Sequence, residues 1–267
     1  MKRFIPFMTP DPLVAVIRLD GVIAGGGRTA PRLNDASLAP VIERAFTRGK
    51  PKAVALVVNS PGGSPVQSAL IAARIRRLAK EKTVPVHAFV EDVAASGGYW
   101  LATAADHIWV DDSSIMGSIG VISAGFGFHE FITRYGVERR VYTAGKSKSM
   151  LDPFQPEKPE DVTRLRALQD TIHERFIAEV KARRGDRLQG GDELFTGEIW
   201  AGRGAVEVGL ADGVDHLVPK MKAVYGDKVR LVPYGLRRPF FQRLGAQLLD
   251  GATAGIEDRA LWARYGL

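Results

Sequence analysis

The 267-residue chain contains no cysteine. This absence excludes disulfide bonds, thiolate metal sites and cysteine nucleophiles. The chain also lacks an apolar run of the roughly 20 residues that a helix needs to cross a bilayer. Residues 1–8 are basic and then apolar, but this apolar part is too short for a signal peptide and is interrupted by proline. We therefore expect a frayed tail over residues 1–12 and a cytoplasmic or peripherally membrane-associated protein.

The charge balance is basic, with a formal net charge of +7 and a sequence pI of about 9.7. Such a balance favours anionic partners such as nucleic acid or anionic lipid. The basic residues are scattered along the chain, however, and no recognised nucleic-acid module is present. The sequence therefore predicts a solvated basic surface and no nucleic-acid partner.

Apolar segments alternate with amphipathic ones along most of the chain. Strands are predicted at residues 13–19, 53–58, 84–90, 107–110 and 140–143, and helices at 38–48, 65–82, 128–135 and 159–184. Residues 53–58 form a nearly continuous apolar run, which is typical of a parallel strand covered on both faces. The alternation of strands and helices predicts an α/β fold with right-handed crossovers. We find no internal repeat or linker and predict a single domain over residues 13–235.

Residues 236–267 form an amphipathic tail whose apolar side chains alternate with arginine and glutamine. These side chains are Phe240, Phe241, Leu244, Leu248 and Leu249. Such a tail can lie on a membrane surface, contact a neighbouring subunit or dock on its own domain.

A run of small residues surrounds one hydroxyl at Ser96, in Val93-Ala94-Ala95-Ser96-Gly97-Gly98. Glycine lets the backbone turn sharply and approach a ligand closely, because it has no Cβ. A serine at a strand-to-helix turn presents its Oγ at the helix N-terminus, where amide N–H groups face the atom under attack. The motif therefore indicates acyl transfer with Ser96 as nucleophile; the alternative is a tight packing corner.

A serine nucleophile needs a neighbouring general base. The five histidines lie outside any glycine-rich or catalytic-looking context: His87, His107, His129, His173 and His216. The other solution is a lysine that burial keeps neutral. Lys148 follows the predicted strand at 140–143 in a loop of small residues, and Lys146 is its competitor.

Three motifs occur in order: Asn-Ser-Pro-Gly-Gly at 59–63, Ala-Ser-Gly-Gly-Tyr at 95–99 and Met-Gly-Ser-Ile-Gly-Val at 116–121. Together they resemble the signal peptide peptidase (SppA) family of serine peptidases, over about residues 14–214. The resemblance implies a ClpP/crotonase-like fold of stacked ββα units and a Ser/Lys dyad. The matching positions are Ser96 for the nucleophile, Lys148 for the base, Ser118 for the hydroxyl that orients the lysine, and Gly62, Gly63 and Gly97 for the oxyanion hole. The family often has an acidic residue after the lysine, whereas this chain has Ser149.

The resemblance predicts a serine endopeptidase acting on unfolded or hydrophobic peptides such as signal-peptide remnants. It implies no metal or cofactor, and it implies a homo-oligomer, with peripheral membrane contact as a further expectation. Two alternatives remain. A crotonase-like acyl-CoA enzyme would share the fold and the oxyanion site, and a non-catalytic scaffold would bind membrane or protein through its basic surface and tail.

Overall fold

The computed structural model describes residues 11–25, 32–145, 147–235 and 259–267. Eight strands in this part of the chain form one sheet. They are β1 (Leu13–Asp20), β2 (Ala53–Ser60), β3 (Val86–Ala95), β4 (His107–Val110), β5 (Ile115–Gly117), β6 (Ile199–Ala201), β7 (Gly213–Val214) and β8 (Arg230–Tyr234). The α-helices of six or more residues in this part of the chain are α1 (Asp35–Thr47), α2 (Pro65–Lys82), α3 (Gly97–Thr103), α4 (His129–Arg134), α5 (Pro159–Arg184), α6 (Gly202–Glu207) and α7 (Leu217–Tyr225).

The strand order is β6-β5-β3-β2-β1-β8, and β4 pairs with β3 and with the short β7. Every strand pair is parallel except β5 with β6. The apolar run of β2 is buried throughout residues 53–58, as expected for a parallel strand covered on both faces. Helix α2 packs against both α1 and α3, and α1 and α3 contact the sheet. The predicted α/β fold is confirmed.

Helix α2 occupies the predicted residues because its first turn carries the expected signals. The Ser64 side chain caps the helix by accepting a hydrogen bond from the Gln67 N–H, and Pro65 occupies the first helical position. Ile71 and Ile75, four residues apart, are both fully buried. This helix starts directly after the Pro-Gly-Gly turn that ends β2, so its cap fixes the turn in place.

The described residues cluster into two compact units. The first contains the described residues up to Ile119 and from Ile177 onward, and therefore the whole sheet. The second comprises residues 120–176, with α4 and the first part of α5. The domain boundaries at residues 12 and 235 stay predictions, and the tail phenylalanines and leucines at 240–249 lie outside the described residues.

The segment at residues 140–143 differs from its prediction. The predicted strand at residues 140–143 is wrong: these residues have no regular secondary structure and pair with no described strand. Their side chains, which include Arg140 and Tyr142, are largely exposed, so the segment buries no apolar face that would hold it in a sheet.

Among the helices that the structure describes, none is long and apolar enough to cross a membrane.

Candidate active site

Ser96 is the single residue between the end of β3 and the start of α3. Its backbone angles are φ 51° and ψ −122°, which correspond to the first central position of a type II′ turn and favour glycine. Its N–H donates to the Gly117 carbonyl at 2.8 Å, and its own carbonyl accepts from the Trp100 N–H at 3.1 Å. The fold thus holds a serine in a strained conformation of the kind that concentrates at functional sites.

The Ser96 side chain is partly exposed, and its Oγ has no hydrogen-bond partner within the described residues. The two glycines that follow it are required by packing. A Cβ at Gly97 would lie 2.5 Å from Ser68 Oγ, and a Cβ at Gly98 would overlap the Ser60 carbonyl. Helix α3 therefore starts close to β2 and α2, and its first amide stands beside the serine.

The Pro-Gly-Gly turn after β2 lies against this start of α3. A Cβ at Gly62, whose φ is +106°, would lie 2.8 Å from Ser96 Cβ and 2.9 Å from Gly97 N. The turn is anchored on residue 23: the Ile23 N–H donates to the Gly62 carbonyl at 2.8 Å, and the Ser64 N–H donates to the Ile23 carbonyl at 2.7 Å. The glycines are what allow two backbone segments to meet at the serine.

Two backbone donors face this meeting point. Neither the Gly63 N–H nor the Gly97 N–H has an acceptor among the described residues, and Gly63 N would lie 3.4 Å from a Cβ built on Gly97. The Gly62 N–H, in contrast, donates to Ser60 Oγ at 3.3 Å. Gly63 and Gly97 therefore each carry an amide without an acceptor in the described chain, and Gly62 supplies the close approach of the two segments.

Ser118 directly follows Gly117, the residue whose carbonyl accepts the Ser96 N–H. The residue has a φ of 52° and is 9% exposed, and its N–H donates to the Glu198 carbonyl at 2.7 Å. Its Oγ accepts a hydrogen bond from the Tyr265 hydroxyl at 3.4 Å. Sequence reasoning missed Tyr265, because no motif connects it with a serine 147 positions earlier.

The first unit therefore brings together five of the predicted site residues: Ser96, Ser118, Gly62, Gly63 and Gly97. Lys148 belongs to the second unit. It lies in a turn, where its N–H donates to the Gly145 carbonyl at 3.2 Å. Its side chain is exposed, so the described chain does not provide the burial that was expected of the lysine. Lys146, the alternative base, lies outside the described residues.

The histidines of the sheet are structural. His87 lies on β3, nine residues before Ser96, which is roughly 30 Å along a strand. Its ring is 5% exposed and stacks on His107 with centroids 5.4 Å apart. Burial, with help from the nearby His107 and Lys220 charges, lowers the His87 pKa to about 4 against the opposing effect of Asp106. This imidazole is too remote and too weakly basic to serve Ser96.

A buried ion pair joins the last residue of α5 to the residue before β7. Arg184 is 3% exposed and binds both carboxylate oxygens of Asp212, at 2.9 and 3.1 Å. Burial opposes ionisation of Asp212, but these hydrogen bonds and the Ile108 N–H outweigh it and lower its pKa below the ordinary value. The Tyr99 hydroxyl of α3 donates to the Leu210 carbonyl close by. Within the described residues, no group of three or more histidine, aspartate or glutamate side chains is placed to hold a metal ion.

Comparison with known proteins gives relatives of the whole chain and of its central part. The chain is 48% identical to a Brucella melitensis protein named Na(+)/H(+) antiporter NhaA, over all of this chain but only 39% of that protein. It is 28% identical to an Enterococcus faecium protein assigned as a signal peptide peptidase SppA, over 76% of this chain and 60% of that protein. The chain thus spans less than two thirds of the length of these relatives.

Solved structures confirm the fold. The 1510-N membrane-bound stomatin-specific protease, in complex with a substrate peptide, matches with a TM-score of 0.52 and 14% identity, over 97% of this chain and all of that chain. The sequence profile described as Peptidase family S49 matches residues 78–224, which include Ser96, Ser118 and Lys148. The expected resemblance to SppA-type serine peptidases is therefore confirmed, and the chain belongs to peptidase family S49.

Proposed function

We propose that this protein is a serine endopeptidase in which Ser96 is the nucleophile and Lys148 is the general base. The observation that carries the proposal is the geometry around Ser96. A serine in a glycine-type backbone conformation has an unpartnered Oγ, and two unpartnered amides stand next to it. A simple packing corner would not require this combination.

The reaction follows from these groups. Ser96 Oγ attacks the carbonyl carbon of the scissile peptide bond while Lys148 Nζ takes the hydroxyl proton. The carbonyl oxygen becomes an oxyanion, which accepts hydrogen bonds from the Gly63 and Gly97 N–H groups. One such donor contributes roughly 3–4 kcal/mol of transition-state stabilisation.

Collapse of this intermediate breaks the C–N bond, and the lysine returns its proton to the leaving amine. Water then attacks the acyl-enzyme, again with the lysine as base, and releases the second product together with free Ser96. The Ser118 hydroxyl orients the lysine amine in this scheme.

The substrate class is unfolded or hydrophobic peptide, bound in an extended conformation. Strand β6 supports this assignment because it is an edge strand of the described sheet. It pairs with β5 directly before Ser118, with Ile199 opposite Gly117. An extended peptide adds to such an edge through main-chain hydrogen bonds.

A homo-oligomer completes the proposal, and the second unit supports it. Among the described residues of 120–176, only Asp161 and Phe176 are buried. Large apolar side chains are exposed instead, among them Phe126, Phe131 and Tyr142 at 80%, 61% and 91%. A unit that lacks its own core needs a covering partner, and another copy of the chain is the partner we propose. Contact with a membrane surface through residues 236–267 stays a prediction.

The test is hydrolysis of casein and of a fluorogenic hydrophobic peptide by wild-type protein, Ser96→Ala, Lys148→Ala and Lys146→Ala. We expect both of the first two variants to lose turnover while they keep the wild-type circular dichroism spectrum, and Lys146→Ala to remain active. Turnover by Ser96→Ala would refute the nucleophile. A dead Lys146→Ala beside an active Lys148→Ala would transfer the role of base to Lys146.

The same proteins separate the two alternatives. Stabilisation by coenzyme A in a thermal-shift assay, without peptide hydrolysis, would favour an acyl-CoA enzyme. Association with liposomes without hydrolysis or serine reactivity would favour a scaffold.

A further inference from the structure

The segment formed by residues 259–267 contacts the candidate active site. Its first five residues are helical, and Gly266, with a φ of +76°, ends the helix in a turn where the Leu267 N–H donates to the Trp262 carbonyl. The contact is the hydrogen bond from the Tyr265 hydroxyl to Ser118 Oγ. Ser118 Oγ has no other hydrogen bond to a side chain of the described residues.

The burial pattern of this segment indicates that it docks by one face. Leu261, Trp262 and Tyr265 are partly buried and follow the i, i+1, i+4 spacing of a single helical face. The residues between and before them are exposed: Arg259, Ala260, Ala263 and Arg264. A helical turn of this length is not stable alone, so its contacts with the protein must hold it in place.

The contact of Tyr265 with Ser118 lies close to Ser96, the proposed nucleophile. Ser118 is joined through one peptide bond to Gly117, whose carbonyl accepts the Ser96 N–H at 2.8 Å. The Tyr265 hydroxyl occupies one acceptor position of the Ser118 hydroxyl that the proposed mechanism assigns to the lysine amine, so its side chain lies next to that residue. While Tyr265 is bound there, a substrate chain that passes Ser118 has to displace its side chain.

We propose that residues 259–267 are a ligand of the active site, bound through Tyr265 at Ser118, and that a peptide substrate must displace them. The inference rests on the proposed function for its consequence, but the binding itself does not require catalysis. The ligand chemistry is a short amphipathic peptide with two aromatic side chains, one of which carries a hydroxyl.

Binding is measured first, in protein that cannot turn over. A fluorescein-labelled synthetic peptide of residues 259–267 is titrated into full-length Ser96→Ala, and into the same protein with Trp262→Ala and Tyr265→Ala added. A segment docked in about nine of ten molecules lowers the apparent affinity of a competitor about tenfold. We therefore expect the labelled peptide to bind the triple variant about tenfold more tightly. The matched control is Ser96→Ala with Arg259→Ala, which should bind like Ser96→Ala alone.

Measurements of KM and kcat test whether the segment binds at the active site. With Ser96 intact, Trp262→Ala/Tyr265→Ala should lower KM severalfold and leave kcat unchanged, and the free peptide should raise KM again. Tyr265→Phe keeps the aromatic ring and loses only the hydroxyl, so KM should fall by a smaller factor in this variant. Equal peptide affinity in the two inactive proteins, or no binding to either, would overturn the inference. If no variant hydrolyses substrate, the proposed function fails, whereas the ratio of peptide affinities still decides this inference.

Discussion

The strained backbone of Ser96 gives a prediction that separates catalysis from stability. Replacing Ser96 with glycine or with alanine removes the nucleophile in both cases, so neither variant has activity. Only glycine adopts φ 51° and ψ −122° without steric penalty. Alanine keeps the Cβ and therefore keeps the strain.

The magnitude follows from two opposing terms. A non-glycine residue in a sparsely populated region costs about 1–3 kcal/mol. Glycine lowers the stability by about 0.5–1 kcal/mol relative to alanine, because it loses more conformational freedom on folding. We therefore expect Ser96→Gly to be more stable than Ser96→Ala by about 1 kcal/mol, or about 2–4 °C in Tm for a chain of this size.

Urea unfolding followed by tryptophan fluorescence measures this difference, and inactive variants cannot digest themselves during the experiment. Ser113 is the matched control, because it is an exposed serine outside the positive-φ set. There the order should reverse, with glycine less stable than alanine by about 0.5–1 kcal/mol. A Ser96→Gly variant no more stable than Ser96→Ala would refute the argument that the fold strains its nucleophile.

The remaining predictions concern the core, the oxyanion turn and the partner of the base. His87 is buried and has a pKa of about 4. Since the unfolded chain binds this proton near pH 6.5, the free energy of unfolding should fall by about 2 kcal/mol from pH 7 to pH 5; His87→Leu should lack this loss in urea titrations at both pH values. Gly63→Ala should lower kcat/KM at least tenfold, because its Cβ would overlap the Ile23 carbonyl, whereas Gly204→Ala, with nothing within 4 Å, should stay active. Ser118→Ala should lower kcat/KM, because the lysine amine loses the hydroxyl that orients it; a wild-type kcat/KM in this variant would contradict that role.

Elements with strong local signals were predictable from sequence. Helix α2 starts at the predicted Pro65, because a serine cap and a proline mark it, and α5 spans the predicted residues 159–184. Strand β3 runs five residues beyond its predicted end. Its acidic pair at 91–92 reads as a loop, but a bulge there is tied to β2 by Asn59, whose side chain donates to Asp92 and accepts from the Val93 N–H.

The candidate site was predictable in its residue types and only partly in its geometry. The small residues around Ser96 and in the Pro-Gly-Gly turn indicated a close approach of two backbones, which is what the structure has. Sequence could not tell which glycine amides are free, because that depends on the Ser60 side chain taking the Gly62 N–H. It also could not give the contact of Tyr265 with Ser118, since this depends on tertiary packing over a long separation.

The central claim is that Ser96 is an activated nucleophile whose base is Lys148. The most direct measurement is mass spectrometry of the intact protein and its peptides after reaction with a fluorophosphonate, for wild type and for Lys148→Ala. We expect a single adduct on Ser96 in the wild-type protein and its loss in Lys148→Ala. An adduct elsewhere, or no adduct on folded and assembled wild-type protein, would contradict it.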